Sequence, residues 1–206
     1  DLVLSSELSV RGQRLSHAYF PRTGFISLVI DIDSHPPLEV GMIGREGMLG
    51  SELALGSAKT PWRAVVQGDG CSLRIATAAL QKAIQDMPAL QSVVQRALMT
   101  RLHQQSLASA CERFHPIGPR LARWLLMSQD RAGSSQFHIT QEFLSLMLGV
   151  RRVGVTQSAS DFQKNGLIEY RRGDLKVLDR AGLEEEACSC YVADKLLYKE
   201  LMSGLT

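Results

Sequence analysis

The sequence predicts an α+β chain: an N-terminal jelly-roll-like β-roll, a long connecting helix, and a compact C-terminal helical part closed by a hairpin. Three observations lead there. Short apolar runs with closely spaced glycines fill residues 17–76. Residues 89–114 contain neither Gly nor Pro. His115-Pro-Ile-Gly-Pro119 then interrupts the chain with two prolines and a glycine in five residues, a strong helix breaker. The 206 residues are 45% hydrophobic and 21% charged. That is ordinary globular composition and excludes a disordered or collagen-like chain. No apolar run approaches the roughly 18 residues of a bilayer span, so no membrane partner is expected.

The elements follow in order. Phe25–Ile30 is an apolar run after the Pro21-Arg-Thr-Gly24 turn, and Leu38–Ile43 follows the Pro36-Pro37 break. Trp62–Val66 and Cys71–Ile75 are two further short runs among glycines 41, 44, 47, 50, 56, 68 and 70. Short strands with glycine turns imply a sandwich, jelly roll or barrel. At Ala76 the pattern changes. Thr77 is expected to cap a helix over 78–85, and Pro88 to open a second one, since proline suits the first helical position. This second helix, 88–114, carries Leu90, Val93, Val94, Ala97, Leu98, Leu102, Leu107 and Ala108 at helical spacing. At about 1.5 Å per residue it is nearly 40 Å long, more than a small β domain covers. A second copy of the chain is the simplest partner for its surplus face. Leu90, Val94, Ala97 and Leu98 are the residues expected in that dimer seam. The reading divides the chain into 1–76, 77–115 and 116–206.

Charge is nearly balanced overall, at +2, but not locally. Residues 151–180 hold seven basic and four acidic side chains, net +3, as a phosphate-facing surface requires. Cys71, Cys111, Cys188 and Cys190 form no CxxC pair, so a reducing compartment and packing roles are expected. If Cys188 and Cys190 lay on one helix they would point about 200° apart. The five histidines show no metal spacing, and His115 reads as a hinge residue. Neither a metal site nor a catalytic set is expected, and no cofactor is evident.

The informative stretch is 139–168. Thr140 is a suitable N-cap. Phe143, Leu144, Met147 and Leu148 form one apolar face, and Gly149 stands where the helix must stop. Small Ser145 allows a close crossing. A second helix from about Arg151 to Lys164 directs Val155, Ala159 and Phe162 inward. This is the grammar of a helix-turn-helix. Its outward face would carry Arg151, Arg152, Gly154, Thr156 and Gln157. Arg can bond both acceptors of guanine, Gln can pair with adenine, and Gly lets backbone approach DNA. Residues 167–172 and 175–178 flank Gly173-Asp174, expected as a two-residue hairpin turn. Arg171, Arg172 and Lys176 near its tip make a wing able to touch phosphates.

On these segments the whole chain resembles the Crp/Fnr family of bacterial transcription regulators. The resemblance is carried by residues 19–27, 40–50, 113–115, 121–127 and 147–152. It implies a β-roll sensor domain, a dimerisation helix and a winged helix-turn-helix, with RNA polymerase as a partner and a cytoplasmic location. The family's chief base-reading arginine falls on Arg152, and other reading positions fall on Val153 and Gln157. In the sensor, Gly50-Ser51-Glu52-Leu53 keeps the acid of the family's Gly-Glu-Leu segment, which holds a cyclic nucleotide's ribose, but with one extra residue. The phosphate-binding Arg-Ser pair aligns approximately with Pro61 and Trp62, which offer neither N–H nor charge for a phosphate. Arg63 follows, on the opposite face by strand alternation. Glu52, Trp62 and Arg63 are therefore candidates for an effector pocket whose ligand is unknown.

The reading is a homodimeric regulator that binds a near-palindromic site on double-stranded DNA. Its alternative is a cyclic-nucleotide-responsive regulator with a variant phosphate pocket. An enzyme is not expected, because no convergent His/Cys/Asp set is visible.

Overall fold

The computed structural model describes residues 1–57 and 59–203. Six strands build the N-terminal part: β1 (Glu7–Ser9), β2 (His17–Pro21), β3 (Phe25–Ile30), β4 (Leu38–Ile43), β5 (Arg63–Gly68) and β6 (Ser72–Ala76). They form a four-stranded antiparallel sheet, ordered β1-β5-β3-β4, and a β2-β6 ladder. A 3-10 turn at Ser51–Leu55 crosses the end of the roll. Strand β5 alternates between buried and half-buried residues, as expected for a strand with one face inward. Strand β3 does not alternate, and Phe25 to Val29 are all buried. Its two faces are both covered. Ile26 and Leu28 enter the roll core with Ile43, Leu49, Ala64 and Val66. Phe25 packs instead with Leu121, Trp124 and Leu125.

Helix α1 (Thr77–Asp86) leads into α2 (Pro88–Phe114). The N-cap of α1 is Ala76, not Thr77. The Thr77 hydroxyl donates to the Leu15 carbonyl at 2.5 Å, which ties the helix to the roll and leaves no side-chain cap. Only His115 and Pro116 separate α2 from α3 (Ile117–Ala132). Helix α3 resumes within the breaker itself, and Pro119 sits in its first turn. Backbone N–H groups there have no intrahelical acceptor, so a proline costs little.

The C-terminal part continues with β7 (Gln136–His138), α4 (Gln141–Leu148), α5 (Arg152–Lys164), β8 (Ile168–Arg171) and β9 (Asp174–Val177). Its sheet has three strands, ordered β7-β9-β8. Strand β7 was not anticipated, since three residues are too short for a periodic signal. Helices α6 (Arg180–Glu186) and α7 (Cys190–Met202) complete the chain and were also not anticipated. Helix α7 lies along α2, where Arg96 Nη1 donates to the Leu201 carbonyl at 3.4 Å, and it also reaches the segment after β4, where Tyr198 Oη donates to Glu46 O at 3.3 Å. No helix of the described residues is long and apolar enough to cross a membrane.

Helix α2 corrects one expectation in detail. Val94 is only 2% exposed, and Leu90 and Leu98 pack with it against Leu15, Met48, Leu53, Leu80 and Ile84. Ala97 is half-buried over the roll. Of the four residues expected at a dimer seam, Val94 therefore serves the chain's own core, and half-buried Leu90, Ala97 and Leu98 are partly covered by it. The outward stripe is Gln95, Met99, Leu102, Ser106, Ser109 and Arg113, all exposed. Met99 and Leu102 are 56% and 63% exposed. Periodicity locates apolar positions on a helix but does not say which partner covers each.

Candidate nucleic-acid interface

Helices α4 and α5 meet across a tight glycine turn. Thr140 Oγ1 accepts from the Phe143 N–H at 3.1 Å and caps α4. Gly149 ends it with φ 62°, a left-handed conformation that glycine adopts without a Cβ clash. The Gly149 N–H donates to Leu146 O at 3.2 Å, and the Val150 N–H donates to Ser145 O at 3.0 Å, satisfying the last carbonyls. Beneath the turn, Leu144, Met147 and Leu148 join Val155, Ala159 and Phe162 in a core completed by Leu121, Leu125, Ile168 and Leu175.

That core fixes which side of α5 faces outward. Arg151, Arg152, Val153, Thr156 and Gln157 are exposed. Thr156 Oγ1 donates to Gln141 Oε1 at 2.7 Å, linking the two helices. Gln157 Nε2 donates to both Asp161 oxygens at 3.1 Å, so it rests along its own helix. Gly154 departs from expectation. A Cβ there would meet Ile117 Cδ1 at 2.5 Å. The glycine therefore faces the start of α3, where it allows two helices to approach.

The hairpin turn is also shifted by one residue. Arg171 pairs with Asp174, so the two loop residues are Arg172 and Gly173, with φ 51° and 91°. Positive φ at both positions is the pattern of a type I′ turn, which matches strand twist. Arg171, Arg172 and Lys176 are exposed beside it, with Glu169 and Asp174 among them. Opposite β9, His138 Nδ1 lies 2.9 Å from Asp174 Oδ1.

The pocket residues separate. Glu52, in the 3-10 turn, is 7% exposed, and neither carboxylate oxygen has a partner. Ser51 Oγ and Trp62 Nε1 are likewise buried without partners. Arg63 turns elsewhere, pairing with Asp31 at 3.1 Å and standing 3.9 Å from Glu7. Arg101, from the middle of α2, stands 5.6 Å over the Trp62 ring and donates through Nη2 to Met48 O at 3.1 Å, while its Nη1 is unpartnered. Burial pulls its pKa down, and the charges of Glu52 and Glu46 oppose that shift. Sequence reading missed Arg101 because nothing local marks it; helix α2 brings it to the roll across about fifty residues of chain.

The cysteines are corrected as well. Cys188 precedes α7 in a turn and Cys190 is its first residue, so the two do not share a helix. Both are buried near Cys111 and His115 at the end of α2.

Residues 119–186 match the Crp-like helix-turn-helix domain. Three solved structures share the fold over most of the chain. A CRP-family transcriptional regulator of Thermus thermophilus is 19% identical, with a TM-score of 0.72 over 90% of this chain and 95% of its own. FixK2 of Bradyrhizobium japonicum is 13% identical, with a TM-score of 0.76 over 91% and 96%. The c-di-GMP-responsive global regulator CLP of Xanthomonas campestris is 17% identical, with a TM-score of 0.66 over 84% and 90%. No curated relative matches the chain by sequence.

Proposed function

From the CRP/FNR-type regulator fold and its Crp-like helix-turn-helix domain, we propose that the chain is a homodimeric, sequence-specific DNA-binding transcription regulator. We keep the division into a β-roll sensor, a helical connector and a DNA-binding part. One observation carries the reading. Arg151, Arg152, Thr156 and Gln157 stand exposed on α5 above a fully buried apolar support, beside the exposed Arg171, Arg172 and Lys176 of the hairpin. A rigid element that presents base-reading groups, flanked by phosphate-binding ones, is what major-groove recognition requires.

The partner of the Met99 and Leu102 stripe is a second copy of the chain. Pairing the α2 helices would set two α5 helices about one DNA turn apart on a near-palindromic site. Leu102→Glu should weaken the dimer by roughly 10-fold or more, since it places a charge in an apolar seam. Its melting temperature should depend less on protein concentration than that of the wild type. Sedimentation that finds the wild type monomeric at micromolar concentration would remove this part of the reading.

Base reading rests on Arg152. Arg152→Ala should cost roughly 1–3 kcal/mol at a site selected from random duplexes and relax preference at one base pair per half-site. Arg172→Ala should weaken all sequences alike and lower the salt slope by about one per subunit. If neither change affects DNA binding, the helix-turn-helix assignment fails.

A second reading concerns the roll. Four buried groups without full partners, on Ser51, Glu52, Trp62 and Arg101, favour a small polar effector that shifts an existing equilibrium between arrangements. Pro61 and Trp62 argue against a cyclic nucleotide, and Arg63 is already held by Asp31. Calorimetry should therefore find cyclic AMP and cyclic GMP weak or silent. Saturable micromolar binding that is lost in Glu52→Ala would reinstate the cyclic-nucleotide alternative. The regulator's last partner is RNA polymerase, which it would recruit or obstruct.

A further inference from the structure

Cys111 and His115 are four apart at the end of α2, which puts them on one side of its last turn. His115 leaves the helix with φ −104° and ψ 141°. On the other side of the chain, Cys188 and Cys190 flank the turn before α7. The Tyr191 N–H donates to Cys188 O at 3.0 Å and closes that turn. The four side chains converge: Cys111 Sγ is 3.5 Å from Cys188 Sγ, and Cys190 Sγ is 3.6 Å from His115 Nδ1. All four donor atoms lie within 4.8 Å of one another.

These separations have a physical meaning. A tetrahedral ion with metal–sulfur bonds of about 2.3 Å and a metal–nitrogen bond of about 2.0 Å separates its ligands by roughly 3.8 Å (S to S) and 3.5 Å (S to N). The Cys111–Cys188 and Cys190–His115 spacings match such a shell, and the remaining pairs, all within 4.8 Å, would close by up to about 1 Å on binding. The spacings are not those of a disulfide, whose sulfurs stand about 2.05 Å apart, and three thiols cannot all pair. Leu107 packs over the cysteines, and the buried Nε of Arg123 has no partner among the described residues.

We propose that Cys111, His115, Cys188 and Cys190 bind one tetrahedral soft divalent cation, zinc by ligand type, and that it clamps the end of α2 to the start of α7. Binding replaces the three thiol protons, which pass to solvent, and involves no change of oxidation state. The ion would fix the hinge from which the helix-turn-helix departs, because His115 is the last residue before Pro116. The site is independent of DNA recognition, so its test does not require DNA.

The full chain, purified under reducing conditions, should carry one zinc per chain by elemental analysis. After chelation it should take up one cobalt(II), giving the thiolate charge-transfer band and the strong visible bands of a tetrahedral ion. Cys190→Ser and His115→Gln should each weaken cobalt binding by at least ~10-fold, the scale on which even supporting groups act. Cys71→Ser, which alters an exposed thiol far from the site, should change nothing. If Cys190→Ser does not fold, the isosteric His115→Gln and the wild-type cobalt spectrum decide. A reduced wild type that binds neither ion overturns the proposal. So does a cobalt spectrum without thiolate bands, metal retained undiminished in folded His115→Gln, or a Cys111–Cys188 disulfide in the reduced preparation.

Discussion

Charge is handled in opposite ways by the α5–wing surface and the interior of the β-roll. On α5 and the wing, the cations stand in solvent over a core whose backbone groups are capped and paired. In the roll, Glu52 and Arg101 are drawn inside and keep atoms without partners. An exposed arginine costs the fold little and remains free for phosphate or a base. A buried unpaired polar group costs about 1–3 kcal/mol, so it persists only where something offsets it, and a ligand is one such offset. The two regions thus differ in whether their charges are left to solvent or left buried and incompletely paired.

Glu39 tests the interior side most strongly. It sits on β4, where its carboxyl accepts from Trp124 Nε1 at 2.8 Å and from Ser27 Oγ, so it joins the roll to α3. Burial pushes its pKa from 4.5 up to about 7, against the pull of the Ser27 and Trp124 hydrogen bonds and of Arg131 and Arg123. The folded chain therefore holds the proton more tightly than the unfolded chain. The resulting stability is fully present below pH 4.5 and is lost as pH rises through about 7. Glu39 retains some accessible surface, so the expected loss is discounted to about 1–3 kcal/mol. Urea unfolding of wild type and Glu39→Gln at both ends of that window should show the excess loss in the wild type alone. Parallel curves would mean that the carboxyl is ionised in the folded chain and that its charge is compensated by Arg131 and Arg123.

The two regions also differed in how far sequence could reach them. The helix-turn-helix is written in local terms: a cap at Thr140, a stop at Gly149, and inward Val155, Ala159 and Phe162, all within the one stretch 140–162. Such features are legible without a fold. Gly154 and the hairpin turn were each read one step wrongly, because their geometry depends on Ile117 and on the strand register. The interior was legible only in outline. Arg101 and the Cys111–His115–Cys188–Cys190 group are assembled by α2 and α7, across about fifty to eighty residues of chain, and no spacing rule spans that distance. On α2, the apolar residues were visible, but their division between the chain's own core and the outward stripe was not.

Glu52 gives an intermediate effect with the opposite sign. Glu52→Met replaces two unpartnered carboxylate oxygens with an apolar chain of similar length. If the carboxylate is retained for a ligand rather than for the fold, the variant should be more stable, by about 1–2 kcal/mol. Thermal unfolding measures this directly. A destabilised variant would indicate that Glu52 is satisfied by the apo protein, and the case for a polar effector would lose its main support.

The smallest effect belongs to the outer surface, at Arg172. Its φ of 51° is a left-handed conformation that costs an L side chain roughly 1 kcal/mol relative to glycine. Nothing in the fold repays it, since the side chain is exposed and makes no hydrogen bond or ion pair among the described residues. Arg172→Gly should therefore stabilise the chain by up to about 1 kcal/mol, an increment reduced by the greater backbone entropy of glycine when unfolded. The same change removes one wing cation, so the salt slope of DNA binding should fall by about one per subunit. The two readouts moving in opposite directions would mark a residue kept for its partner at the fold's expense. A variant that loses stability while DNA binding is unchanged would reverse that assignment: Arg172 would be supporting the hairpin, and the wing would not be the phosphate contact that the exposed charges imply.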